Sequence, residues 1–193
     1  MELIDIKELM DGKLTYPSWS TKTRYSIQCE IKSDRVRVYY VTTKTLMKKV
    51  HERLFPRFIK LTPRFCWAMG FLKGEGLNSI NGKSYYRFEI TNKNPYLLNK
   101  VIEELDTSRI LKKEDYPKKC FQIFHSSNER NVVKNYWSTN LDFDVNKFEV
   151  INCKSSLKKS DTGICHLYIS DVLLRRVVDE INMHITDQIK NGV

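Results

Sequence analysis

Apolar and polar residues alternate in several short runs along this chain, and each run ends in a polar break. Arg24 to Lys32 places Tyr25, Ile27, Cys29 and Ile31 on one side and charged or amide side chains on the other. Arg35 to Val41 repeats the pattern after Ser33-Asp34, which predicts two strands joined by a tight turn. Other alternating runs, from which strands are expected, are Leu77–Ile80, Ser84–Thr91, Ser108–Lys113, Lys118–His125, Lys147–Cys153 and Ile164–Ile169. Asn81-Gly82 is a hairpin signal between the first two of these.

Helical spacing takes over elsewhere. It predicts helices over 3–10, from Thr43 to about Leu54, over 63–76, from Asn94 to Leu105, over 128–137 and over 172–189. Ser, Thr, Asn or Asp stands ready as cap before most of them, and Pro63 and Pro95 occupy first turns. Four segments share one grammar of alternating strand, short polar cap and amphipathic helix: 36–50, 86–101, 120–135 and 165–178. They predict a strand–strand–helix unit used four times, giving an α+β chain whose sheets have one face under helices and one polar face.

One predicted helix is unusual. Cys66, Gly70 and Gly74 recur every four residues and share a face that is almost without side chains. Glycine costs a helix position about 1 kcal/mol relative to alanine, so two in one short helix suggest that another helix approaches there. The face ends in the carboxylate of Glu75, between Gly74 and Gly76. Trp67, Phe71 and Trp137 are expected in the core.

Charge adds a class of partner. The 33 Lys and Arg against 23 Asp and Glu give a net +10, which suits a polyanion. The chain is 41% hydrophobic and 11% aromatic, enough for a packed core. Its five cysteines are odd in number and lack C-x-x-C spacing, which points to reduced thiols of an intracellular, cytoplasmic protein and away from zinc. The first ten residues do not read as a secretory signal, and no apolar run approaches the roughly 20 residues of a membrane span.

The helix with its Gly-acid-Gly exit, followed by strands and a helix, resembles the LAGLIDADG homing endonuclease family. The nine-residue motif is Ala68 to Gly76, AMGFLKGEG, in which Gly70, Gly74, Glu75 and Gly76 fit and Lys73 replaces a frequent acid. The resemblance covers 62–137. It implies an αββαββα core with an antiparallel, saddle-shaped sheet at 62–140. Before it lies an α-ββα extension or degenerate half-domain at 1–61, and after it a ββα unit at 141–193. It also implies a DNA-binding protein, a hydrolase that uses Mg²⁺ for site-specific double-strand cleavage, with Glu75 as metal ligand and catalytic acid.

That chemistry uses two such helices, and the chain has one clear motif. The second acid comes from another copy in a homodimer, packed through Cys66, Gly70 and Gly74, or from Asp11 in a degenerate motif that makes a pseudo-symmetric monomer. Otherwise the fold is kept for DNA binding without cleavage, as in a transcriptional regulator or RNA maturase. Expected DNA contacts are Arg35, Arg37, Tyr85, Arg87 and Gln122 on sheet faces, with Arg24, Gln28 and Glu89 beside them. Lys83, Lys154, Lys158 and Lys159 suit phosphates from loops. An assisting base could be drawn from Lys112, Lys113, Lys118 and Lys119.

Overall fold

In the computed structural model, the described residues are 2–16, 23–44, 47–75, 87–125, 129–152 and 162–192. They form an α+β chain. The N-terminal strand β1 (Leu3–Asp5) leads into a short helix α1 (Ile6–Met10). Asp5 accepts the Lys7 backbone N–H at 2.8 Å and so fixes the helix start, which is why the first apolar run is half strand and not one helix. Strands β2 (Gln28–Lys32), β3 (Arg35–Lys44) and β4 (Met47–Pro56) form a three-stranded antiparallel sheet. Ser33, with φ of 59°, makes the expected turn between β2 and β3.

The helix expected from Thr43 to about Leu54 is not what forms: Thr43 and Lys44 end β3, and the stretch from Met47 onward is strand β4. It pairs with β3 from Lys44↔Met47 to Arg35↔Pro56. Phe55 and Arg53 then fall on the inner face and Glu52 and Leu54 on the outer. Helical spacing in this stretch was a coincidence of its apolar positions, and the ladder supplied by β3 outweighs it.

Strand β5 (Phe58–Lys60) pairs antiparallel with β1. Helix α2 (Pro63–Glu75) follows, then β6 (Phe88–Asn92) and α3 (Pro95–Thr107). Asn94 caps α3 by accepting the N–H groups of Tyr96 and Leu97. The strand expected over Ser108–Lys113 is instead a turn and a 3₁₀ segment at Lys113–Asp115. Ser108 closes α3 by donating to Leu105 O at 3.1 Å, and Arg109 turns left-handed at φ 58°, so the chain cannot extend there.

Next come β7 (Phe121–His125), α4 (Arg130–Leu141), β8 (Phe148–Asn152), β9 (Ile164–Ile169) and α5 (Val172–Lys190). The second main sheet has the order β6-β9-β7-β8. Its β7–β8 pair is parallel, so the wholly antiparallel sheet expected for the middle of the chain is not what forms. The partner of β6 among the described residues is the C-terminal strand β9. The predicted strand 77–80 and the Asn81-Gly82 turn lie outside the described residues. The strand–cap–helix grammar holds for β6–α3, β7–α4 and β9–α5, and fails for 36–50, where a second strand replaces the helix.

A continuous cluster of buried side chains runs from Ile4 to Ile185 and includes Trp137, Phe55, Phe65, Phe88, Phe121 and Phe148. Helix α5 packs against α1, α2, β4 and β6, and so joins the two sheets. No helix among the described residues is long and apolar enough to cross a membrane. Cys29, Cys66, Cys120 and Cys165 are free thiols. Burial pushes the Cys29 and Cys120 thiols up to about 12, so they stay protonated at neutral pH.

Candidate nucleic-acid interface

Helix α2 starts on Thr62, whose hydroxyl accepts the Phe65 N–H at 3.1 Å, with Pro63 at the first position. Phe65, Ala68, Met69 and Leu72 are buried against α3, α5 and β6. The opposite side is Pro63, Trp67, Gly70 and Gly74, all exposed, flanked by half-buried Cys66 and Phe71. A Cβ added at Gly70 or Gly74 meets no atom within 4 Å. Within the described residues, then, the bare face has no partner. Trp67 is 41% exposed and stacks on Phe71 at 5.3 Å. Trp137 is core as expected, with its indole N–H donating to Thr162 O at 2.6 Å, but Trp67 is not. It stands on a face that no described residue covers.

Glu75 closes α2, exposed, and makes no ion pair or hydrogen bond among the described residues. Its carboxylate stands at the negative end of the helix dipole, where a cation is favoured and an acid is not. Lys73, two residues earlier, does not pair with it; its ammonium donates to Thr186 Oγ1 on α5 at 2.8 Å.

Asp11 is placed differently. It follows α1, its Oδ1 accepts the Cys29 N–H at 3.2 Å, and its Oδ2 pairs with Lys7 at 3.5 Å. It ties α1 to β2. Strands β1 and β5 run antiparallel, with Asp5 beside Phe58 and Leu3 beside Lys60. α1 leaves one end of that ribbon and α2 the other. The two acids are thus held by different parts of the fold, and Asp11 already has two partners.

The outer face of the first sheet carries Arg37 at its centre. The guanidinium donates to Glu52 from Nε at 2.8 Å and to Glu30 at 3.2 Å, and lies over the Tyr39 ring at 4.6 Å. Both carboxylates hold its pKa above the usual value. Arg35 lines the same shallow groove, with Lys32, Arg53 and Asp115, and has no such neutralising pair among the described residues.

On the second sheet, the half-exposed face presents Glu89, Gln122, Glu149, His166 and Tyr168. Gln122 stands in register between His166 and Glu149. Arg87 is exposed at the start of this sheet, and its carbonyl accepts from Arg175 at 3.3 Å. His166 Nε2 lies 3.6 Å from Glu89 Oε2. Burial lowers the pKa of His166 and outweighs the opposing pull of Glu89. Sequence reasoning passed over His166 and Tyr168, although the alternation in Ile164–Ile169 already set them opposite buried Cys165 and Leu167.

Lys112, Lys113 and Lys119 are paired with Glu114, Asp142 and Glu149 respectively. Lys83, Tyr85, Lys154, Lys158 and Lys159 lie outside the described residues. The structure thus brings Arg35 with Arg37, and Gln122 with the His166–Glu89 pair, onto two separate sheet faces. Comparisons with protein-family models, curated proteins and solved structures return no match.

Proposed function

We propose that this chain is a DNA-binding protein of the homing endonuclease type, acting as a divalent-metal-dependent, site-specific double-strand endonuclease once two copies meet through α2. The observation that carries the reading is the exposed stripe of α2, centred on Gly70 and Gly74 and ending in Glu75, which has no partner among the described residues. The stripe of Pro63, Trp67, Gly70 and Gly74 has no cover among the described residues, and an exposed apolar stripe with bare glycines admits a second helix. A twofold pairing places the same residues on both sides of the contact and supplies the second Glu75.

An exposed carboxylate such as Glu75, unpaired among the described residues, suits Mg²⁺, which is bound through one or two carboxylates with substrate phosphate oxygens completing its shell. Bound there, the metal would stabilise the charge that develops on the attacked phosphodiester. Glu75 is the residue of this chain that would hold it. The net charge of +10 and the side chains of Arg35 and Arg87, which make no ion pair among the described residues, support binding of the duplex.

A second reading is favoured by Asp11. Its commitment to Cys29 and Lys7 leaves the single chain with one acid of the required kind, so a chain that stays monomeric binds DNA without cutting it. Selection from a randomised duplex library in Mg²⁺ separates the two. The nuclease reading expects cut products that disappear in Glu75→Gln while binding persists. Bound but uncut DNA leaves the silent DNA-binding reading, and no retained duplex at all overturns both.

A further inference from the structure

Strands β3 and β4 pair along ten residues each, but β2 accompanies only Arg35 to Tyr39. Beyond that, five cross-strand pairs from Tyr40↔His51 to Lys44↔Met47 run on, and among the described residues no third strand covers them. At about 3.4 Å per residue this ribbon extends roughly 17 Å past the sheet. Two strands alone are barely stable in water, and this pair has an anchor. Tyr40 is buried at its base, stacked on His51 at 4.8 Å and on Tyr25 at 5.7 Å. Thr42 Oγ1 lies 3.3 Å from His51 Nε2.

The ribbon's chemistry differs from that of the sheet it grows from. Inside the sheet two arginines are held by carboxylates, Arg37 by Glu30 and Glu52 and Arg53 by Asp171 at 2.6 Å, and Arg35 stands among them without one among the described residues. Residues 40–51 contain lysines at 44, 48 and 49 and no acid. The side chains of Lys48 and Lys49 are exposed and make no ion pair among the described residues. Adjacent on one strand, they point to opposite faces of the ribbon. Met47 is 73% exposed, and Val50 is exposed too, so the arm also offers apolar contact.

We infer that the paired strand segments 40–44 and 47–51 form an arm that lies in the major groove of duplex DNA, with Lys48 and Lys49 directed to the two phosphate walls. The inference rests on the DNA-binding reading above but concerns a surface separate from α2 and Glu75. The major groove is about 12 Å wide and admits a two-stranded ribbon. A ribbon that enters end-on turns one face to each wall, which is what the opposed lysines require. The partner is therefore polyanionic on both sides of a slot, as a duplex is and a flat acidic protein surface is not.

The test is a salt titration of full-length wild type and Lys48→Ala/Lys49→Ala on a 30-base-pair duplex, followed by fluorescence anisotropy. Lys60→Ala/Lys190→Ala removes the same charge from exposed positions elsewhere. Each lost phosphate contact lowers the slope of log K against log salt by about 0.9. The arm variant should thus lose a slope of about 1.8 and bind at least about fivefold more weakly at 100 mM salt, with the control near wild type. Dimethyl sulfate should find guanine N7 atoms protected by wild type and exposed with the variant.

If wild type binds and the two double variants behave alike, the arm is refuted while the DNA reading stands. If wild type retains no duplex, both fall. Stronger competition by single-stranded RNA than by duplex also overturns the arm.

Discussion

Helices α2 and α5 pack against each other and break the usual distribution of residues in opposite directions. α5 buries charge. Arg175, Glu180 and Asn182 are almost inaccessible, Glu180 at 2%. Arg175 donates from Nε to Asp179 at 2.8 Å; Glu180 receives Lys13 at 3.1 Å and Arg176 from one turn back. Tyr16 donates its hydroxyl to Asp179, and the Arg176 guanidinium lies 4.9 Å over its ring. α2 does the reverse and exposes Trp67 beside two bare glycines. The charges of α5 are paired inside the chain, by Lys13 and Tyr16 laid across the helix and by neighbours on α5 itself, although the amide nitrogen of Asn182 has no partner among the described residues. The anomaly of α2 has no resolution among the described residues. An internally satisfied anomaly reads as structure, and an unsatisfied one reads as a binding face.

The comparison breaks most visibly at Glu180. Glu180→Ala leaves Arg176 and Lys13 together with no carboxylate between them. Removing one partner of a buried pair costs about 3 kcal/mol or more. At roughly 2–4 °C per kcal/mol for a chain of this size, the melting temperature should fall by about 6–12 °C in calorimetry. A fall under about 2 °C would show that the network is no more than a surface one. Asp171→Ala is next. Asp171 accepts the Leu174 N–H at 2.9 Å as the cap of α5 and holds Arg53 at 2.6 Å. Cap and ion pair together are worth about 2 kcal/mol, to be read as a lower urea midpoint at unchanged slope.

Alkaline pH probes the same network more gently. Burial, then the charge of Asp179, pushes the Tyr16 hydroxyl up to about 12 from 10. The unfolded chain loses this proton near pH 10 while the folded one keeps it, so stability is present below pH 10 and declines between about 10 and 12. Tyr16→Phe removes that part of the slope. The difference should approach about 1 kcal/mol at pH 11 once solvent screening of this partly exposed group is allowed for. Equal pH slopes for the two proteins would show that Tyr16 titrates like an exposed phenol.

The two helices also differ in how far the sequence disclosed them. Both were legible as helices, because Thr62-Pro63 and Asp171 are strong starts and the apolar spacing is regular. The open face of α2 was half legible. The glycine stripe could be seen, but only the fold reveals that Trp67 stands outside and that no atom of the described residues comes within 4 Å of a Cβ at Gly70. The buried charges of α5 were not legible, since RRVVDE reads as an ordinary wet face until Tyr16 and Lys13 are laid across it. β4 failed for a related reason. Its residues fit a helix locally, and the long-range ladder to β3 decided otherwise. Contacts distant in sequence settle what local spacing leaves undecided, and candidate sites inherit that limit: the sequence offers Asp11 as an acid, and only the fold shows that it accepts the N–H of Cys29.

The smallest change is the sharpest, because it should carry opposite signs in two experiments. Gly70 is mid-helix with open space where a Cβ would go. In the isolated chain, Gly70→Ala should stabilise α2 by roughly 0.8 kcal/mol, since alanine restricts the unfolded state and adds no clash. If a second α2 packs at this face, the same methyl holds the two helices apart and weakens association by tenfold or more. Thermal melts at high dilution should therefore rise by about 2 °C, while sedimentation at higher concentration shows the dimer lost. A gain in both would mean that nothing approaches Gly70, and the two glycines would then need another reason to stand there. A gain in the first and a loss in the second would show that the chain accepts a weaker helix for the sake of a partner, as the contrast with α5 requires.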